Sequence, residues 1–254
     1  MLEACRKLKS TGTVDYPFAI ALNAEEKTST CLMWLAYARN GVVWNEDGTL
    51  NEESVMEALK YMETLVKEEL VAPEDKTSSG MDAYKRLTGG SASFLTGPTS
   101  FVSRSTNEEE CSVVGQITPI LMPGKEAKSE VTMALPEGLG VTKFSENKEA
   151  AKKFVEWYTS ADMQKELNAS NSAIPTRNSV LKSLVEDGTI KNAGAMMDEA
   201  ERIVSPFPNG IPAYYAEMSS AMYNAINKMA LGEMTAEEAF EDMNAKITEL
   251  VEQE

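Results

Sequence analysis

Catalysis needs nucleophiles, bases or metal ligands, and this sequence lacks the most versatile of them. Among its 254 residues there is no histidine. Ser-His-Asp and Cys-His catalysis, histidine-ligated zinc and HExxH chemistry are therefore excluded by count. The three cysteines, Cys5, Cys31 and Cys111, have no CxxC spacing, and an odd number cannot close into a disulfide framework. They read as small buried apolar side chains. Forty acidic residues supply many carboxylate pairs, yet no motif singles out one pair as the acid and base of a glycosidase. No catalytic residue and no cofactor is assigned.

Metal and phosphate sites fare no better. The turn Asn45-Glu46-Asp47-Gly48 touches the EF-hand pattern, but that frame puts Val43 at the first ligand position and Ser54 where the bidentate glutamate belongs. No metal site is expected. Gly138-Leu139-Gly140 is followed by Lys143 where a dinucleotide fingerprint needs a third glycine, and no GxxxxGK occurs. The segment Ser91 to Ser100 is better suited to hold a ligand. A strand there delivers Gly97-Pro98, and the hydroxyls of Thr99 and Ser100 follow at a helix start, the place where open α/β folds bind ligands. An ordinary strand-to-helix turn carries the same signature.

The elements that must position such residues read as α/β. The chain is long enough, at 43% hydrophobic, to bury a sizeable core. Its net charge of -16 makes nucleic acid and anionic membrane surfaces poor partners. The longest apolar run, Cys31 to Ala38, is far shorter than the roughly 20 residues of a membrane span, and no signal-peptide pattern opens the chain. Leu2, Cys5 and Leu8 share a helical face, but no capping residue precedes them, so we expect the chain to begin inside an element of a longer protein.

Along the chain, Tyr16 to Leu22 reads as a strand, Asn23 to Thr30 as a polar stretch, and Cys31 to Arg39 as a buried helix closed by Asn40-Gly41. Leu50 and Val55 form a hydrophobic staple around an Asn51 cap, opening a helix whose apolar face is Val55, Leu59, Met62 and Val66. A helix over Asp82 to Leu87 and strands at Ser91 to Leu95, Val113 to Ile120 and Val131 to Val141 follow. From Asn147 onward the pattern is helical, with a stripe of Ala151, Phe154, Val155 and Tyr158. After a Pro-rich break at Ser205 to Pro212 comes a helix over Glu217 to Leu231. The last element opens with a Thr235 to Glu238 capping box and carries Phe240, Met243, Ile247, Leu250 and Val251 on one face. Eight acids against Lys246 alone between Glu233 and Glu254 read as a solvated face.

Several of these segments, taken together, resemble a known family. They are Phe94-Leu95-Thr96-Gly97-Pro98, the run Glu146 to Val155 followed by Thr159-Ser160, Pro175-Thr176-Arg177-Asn178-Ser179-Val180-Leu181, and Gly232-Glu233-Met234-Thr235-Ala236-Glu237-Glu238-Ala239. In order and spacing they resemble the sugar-type extracellular solute-binding proteins of ABC importers, the family of maltose-binding proteins. Leu2 to Lys9 is similar to its helix near the start of the second lobe, and the resemblance runs over the whole chain. It implies a type II periplasmic-binding-protein-like fold of two lobes, α/β with a helix-rich C-terminal half, here without part of its first lobe. Residues 1–133 would be mostly second lobe, with 134–175 returning to the first and Ala134 to Val141 as the crossing. Residues 176–254 would be helices packing on the second lobe and cleft.

The resemblance also implies the site. A ligand contact, often aromatic, follows Gly97 and Pro98 in the family; here Thr99 stands there, which removes a stacking platform. Asn23, Glu25 and Glu26 correspond to a cleft loop and are candidate partners for ligand hydroxyls. Trp34 behind them reads as core as well as a candidate contact. Tyr214 or Tyr215 would stack on a sugar face and hydrogen-bond through its hydroxyl. The implied function is capture of a sugar, polyol or oligosaccharide and its delivery to the permease subunits, outside the cytoplasm, as a periplasmic or lipid-anchored protein. No enzyme activity is implied, and a chain without its leading segment would expose an apolar face and self-associate or rearrange its lobe. Two rival readings are a carbohydrate-active enzyme and a solute-binding sensor or interaction protein.

Overall fold

The computed structural model describes residues 1–126, 129, 131–134, 138–191 and 193–253. The chain divides into two compact units: Met1–Gly97, Ile120–Ala134 and Asp198–Glu254 form the first, and Pro98–Pro119 with Leu135–Met197 the second.

The first unit is a helical body around two short parallel strand pairs. β1 (Phe18–Ala19) pairs in parallel with β2 (Phe94–Leu95), and β3 (Thr132–Met133) with β4 (Ile203–Val204). Opening the chain is α1 (Leu2–Ser10), which buries Cys5. Next, α2 (Glu26–Asn40) buries Cys31, Leu32, Met33, Leu35 and Ala36, and stops where Gly41 adopts a left-handed φ of 72° that frees its N–H to bond Tyr37 O. The Asn51 side chain accepts from Ser54 N to start α3 (Glu52–Lys67), as the sequence predicts. Its core face is Val55, Leu59, Met62 and Leu65; Val66, expected on that face, is only half-buried because Leu65 lies closer to the axis of the apolar stripe. Each such side chain contributes about 1.5–3 kcal/mol by leaving water.

A single 3₁₀ turn at Pro73–Lys76 leads to α4 (Gly80–Thr88). At the other end of the chain, α10 (Tyr215–Leu231) lays Met218, Met222, Ile226 and Met229 into the core. Helix α11 (Ala236–Glu252) carries the predicted capping box and buries Phe240, Met243, Ile247 and Leu250.

In the second unit, α5 (Ser100–Arg104) follows Thr99, while α6 (Lys148–Tyr158), α7 (Ala161–Asn171) and α8 (Asn178–Glu186) form a helical layer. Val180, Leu181, Leu184, Ile190, Ala193 and Met196 make its core, with Val102 and Ile174 packed against them. The Gln164 amide ties α7 to the turn before α8, donating to Thr176 Oγ1 at 2.9 Å and accepting from Arg177 N at 3.0 Å. A last short helix, α9 (Gly194–Ala200), precedes β4.

Three expectations change. The strand expected over Val113 to Ile120 is turn and bend over 113–116 and irregular over 117–120, since no neighbouring strand meets it among the described residues and β-propensity without a partner forms no ladder. The polar stretch Asn23 to Thr30 is not all loop, because α2 already begins at Glu26 and buries Thr28, Ser29 and Thr30. On α6 the stripe of Ala151, Phe154, Val155 and Tyr158 forms with Ala151, Val155 and Tyr158 half-buried, while Phe154 is 52% and Trp157 55% exposed and these two pack on one another and on Tyr158. Of the strand expected over Val131 to Val141, Thr132–Met133 is strand, while 135–137, and with them part of the expected crossing, lie outside the described residues. All three cysteines are free and buried.

Candidate functional site

Beyond β1 the chain runs buried through Ile20, Ala21 and Leu22 before surfacing at Asn23. Backbone groups that a longer strand would pair are taken by side chains and turns. Leu22 N donates to Asp75 O at 3.2 Å, and the Asn227 amide of α10 donates to Leu22 O at 2.7 Å and to Lys76 O at 2.8 Å. Thr28 Oγ1 then donates to Asn23 O at 2.6 Å, folding the loop onto the first turn of α2. The Asn23 side-chain oxygen is itself buried and receives no hydrogen bond.

Glu25 and Glu26, adjacent in sequence, do different things. The Glu25 carboxylate accepts Gly80 N–H at 2.7 Å, at the N-terminus of α4 where the helix dipole favours an anion, and Lys27 Nζ lies 3.5 Å from the same oxygen. Glycine is required at position 80, since a Cβ there would sit 2.5 Å from Glu25 Oε1 and 2.8 Å from Ala21 Cβ. Glu26 is exposed and accepts from α10: Tyr215 donates to one oxygen and Ser219 Oγ to the other at 2.5 Å. Behind them the buried Ser29 and Ser219 hydroxyls lie 2.6 Å apart. Burial, and then the bond to Glu26, push the Tyr215 phenol well above its ordinary value, so it stays a proton donor.

An aromatic row fixes Tyr215. Its ring meets Phe207 edge-on at 5.5 Å, and Phe207 meets Trp44 at 5.6 Å. Trp44 Nε1 and Tyr37 Oη both donate to Pro206 O, at 2.8 and 2.9 Å, anchoring the Pro-rich segment ahead of α10.

Of the predicted residues, the structure brings Asn23, Glu25, Glu26 and Tyr215 together at this one corner. Trp34 is half-buried further along α2 and donates from Nε1 to Met133 O at 3.3 Å. Tyr214 turns elsewhere, its hydroxyl 3.7 Å from where a Cβ on Gly48 would stand. Gly97 closes β2, while Pro98 and Thr99 belong to the second unit, where Thr99 caps α5 without a side-chain bond. Sequence reasoning missed Ser29, Ser219, Gly80, Phe207 and Trp44. Ser219 was within reach, since it stands one helical turn from Tyr215 on the same face.

Chemically the cluster offers carboxylate and hydroxyl oxygens beside aromatic surface. Among the described residues no group of three or more His, Cys, Asp or Glu gathers to hold a metal, and no helix is long and apolar enough to cross a membrane. A separate open groove of about 820 Å³ between α3 and α11, lined by Asn51, Glu57, Phe240 and Asn244, contains none of the predicted residues.

Parallel strands feeding helices, with a polar cluster beyond the carboxyl end of β1, define the class as an α/β fold built to present side chains at a strand end. The sequence profile of the bacterial extracellular solute-binding proteins matches residues 1–165, and the chain belongs to that family. Solved structures agree on the fold. The maltose-bound MalE3 of T. maritima superposes with a TM-score of 0.84 at 19% identity, covering 98% of this chain and 63% of that one. A solute-binding protein of an ABC transporter from Agrobacterium vitis, with bound D-mannitol, gives 0.76 at 15% identity over 96% of this chain and 62% of that one. A third, from Thermotoga lettingae with bound α-D-tagatose, gives 0.68 at 22% identity over 95% and 61%. The chain therefore has the type II periplasmic-binding-protein-like fold and spans a little over three fifths of these relatives' length, 63% of the first.

Proposed function

We propose that this chain is the ligand-capturing part of an ABC importer, taking up a sugar, polyol or oligosaccharide outside the cytoplasm and passing it to the permease subunits. One observation carries this reading: the likeness to maltose-, mannitol- and tagatose-bound proteins extends over nearly the whole chain. The Glu26, Tyr215 and Ser219 cluster supports it, because sugars present hydroxyls and apolar C–H faces that carboxylates and aromatic rings satisfy. In this reading Asn23, Glu26, Tyr215 and Trp34 face the ligand, while Glu25 holds the loop. The work is binding and release, without turnover. The first unit then corresponds to the body of the second lobe, and 134–175 to the segment that returns to the first.

The protein would act as a periplasmic or lipid-anchored component. The exposed aromatics on α6, with Phe144 at 80% exposure, make self-association of this chain an expected property. Light scattering that returns a clean monomer refutes that part.

A thermal-shift screen of mono- and oligosaccharides and polyols tests the function, run on this chain and on a longer form with the first-lobe segment that its relatives possess. A ligand at 100 times its Kd adds about 2.7 kcal/mol, a shift of several degrees. A shift in either form supports the reading. No shift in both with any compound overturns the sugar assignment.

A further inference from the structure

The Glu26 corner has a chemical polarity that goes beyond sugar binding in general, and the inference from it rests on the reading above. Tyr215 and Ser219 each spend their proton on Glu26. What remains for a ligand there is lone pairs: those of the exposed carboxylate, which has about four acceptor positions with two filled, and those of the Tyr215 oxygen, Ser219 being buried against Ser29. The same loop holds another acceptor without a donor, the buried Asn23 Oδ1.

Charge points the same way. Lys27 is committed to Glu25, and among the described residues no cation lies within ion-pair distance of Glu26. Its negative charge therefore faces outward uncompensated, on a chain of net charge -16. A phosphate or carboxylate brought to this corner would meet only acceptors and like charge, whereas a protonated amine would form a charge-assisted bond.

We propose that the Glu26, Tyr215 and Ser219 corner seats a donor-only part of the solute, prefers an ammonium to a hydroxyl there, and rejects acidic sugars. The ligand class is then amino sugars or amino polyols, bound more tightly than their neutral parents.

Calorimetric titration with two matched series tests this, at a pH where the amines are protonated. The first is glucose, glucosamine and glucuronate; the second is mannitol, 1-amino-1-deoxyglucitol and gluconate. In one series or both, the amine should bind ~10-fold or more tighter than the neutral parent, and the acid ~10-fold or more weaker. Glu26→Gln keeps the shape and removes the charge, so the amine preference should collapse towards parity while the neutral sugar loses less. The wild-type preference should also shrink with added salt, a readout independent of whether the variant folds. Neutral sugars bound without amine preference, or a preference that survives Glu26→Gln and is insensitive to salt, overturn this proposal alone. Absence of binding across both series overturns it, and the sugar reading falls with it only if the thermal-shift screen also returns no shift in either form.

Discussion

Asp75 is a carboxylate placed where a carboxylate should not be, and replacing it makes a sharp prediction. It sits fully buried in the 3₁₀ turn behind β1, with neither oxygen receiving a hydrogen bond and Arg86 Nε 3.6 Å from Oδ1. Arg86 Nε also finds no acceptor within hydrogen-bond distance, so the pair attracts without bonding. Burial raises the Asp75 carboxyl from 3.8 to about 6, against a partial offset from Arg86. The acid form is thus favoured by folding, and the group does no harm below pH 3.8, where it is protonated in both states. As pH rises from 3.8 to about 6 the unfolded chain ionises it while the native state still holds the proton, so stability is lost across that window and the loss is complete above it. A rise from 3.8 to about 6 corresponds to about 3 kcal/mol at most.

Asp75→Asn removes that burden, so at neutral pH it should stabilise the first unit by ~1–3 kcal/mol, the lower end if local relaxation lets water reach the carboxylate. At pH 4 the two proteins should be nearly equal. Urea unfolding followed by tryptophan fluorescence reads this directly. Of the three tryptophans, Trp34 and Trp44 lie in the first unit, and a Trp157→Phe background silences the third. The reasoning is refuted if Asp75→Asn destabilises at neutral pH, or if the difference between the proteins is the same at pH 4 and pH 7.5.

Other perturbations follow from the same structure. Gly80→Ala should destabilise by ~1–3 kcal/mol and loosen the Asn23 to Glu26 loop, measured by urea unfolding and by amide exchange at Glu25, because its Cβ would collide with Glu25 Oε1 and Ala21 Cβ. Glu57 accepts from Asn40 Nδ2 at 2.9 Å and Arg39 Nε at 2.8 Å, with Lys125 Nζ 3.0 Å away; burial alone would raise its carboxyl, but these bonds hold it below the usual glutamate range. Glu57→Gln should therefore cost ~1–2 kcal/mol at neutral pH, and the difference should close as acid protonates the wild-type side chain, seen in melting temperatures across pH. Thr235→Ala breaks the α11 capping box and should cost about 1 kcal/mol by chemical unfolding.

Local chemistry was legible in the sequence wherever neighbours along the chain settle the outcome. The Asn51 cap, the Gly41 left-handed stop and the Thr235 capping box all formed as read, since each needs only residues within one helical turn. The family, too, was legible, and its profile match over residues 1–165 takes in the markers at Phe94 to Pro98 and Glu146 to Ser160. Reading failed where an element depends on a distant partner. Val113 to Ile120 has strand character, but among the described residues no strand pairs with it.

At the candidate site the division is equally physical. Composition alone excluded histidine chemistry, and the family resemblance made Asn23, Glu25, Glu26 and Tyr215 candidates for ligand contact. Only the tertiary structure separated two adjacent glutamates into a loop clamp on Gly80 and an open acceptor fed by α10. The Ser29 and Ser219 hydroxyls that support Glu26 are 190 positions apart. No periodicity encodes such a pairing, because it arises from packing one helix against another rather than from the local preferences of either.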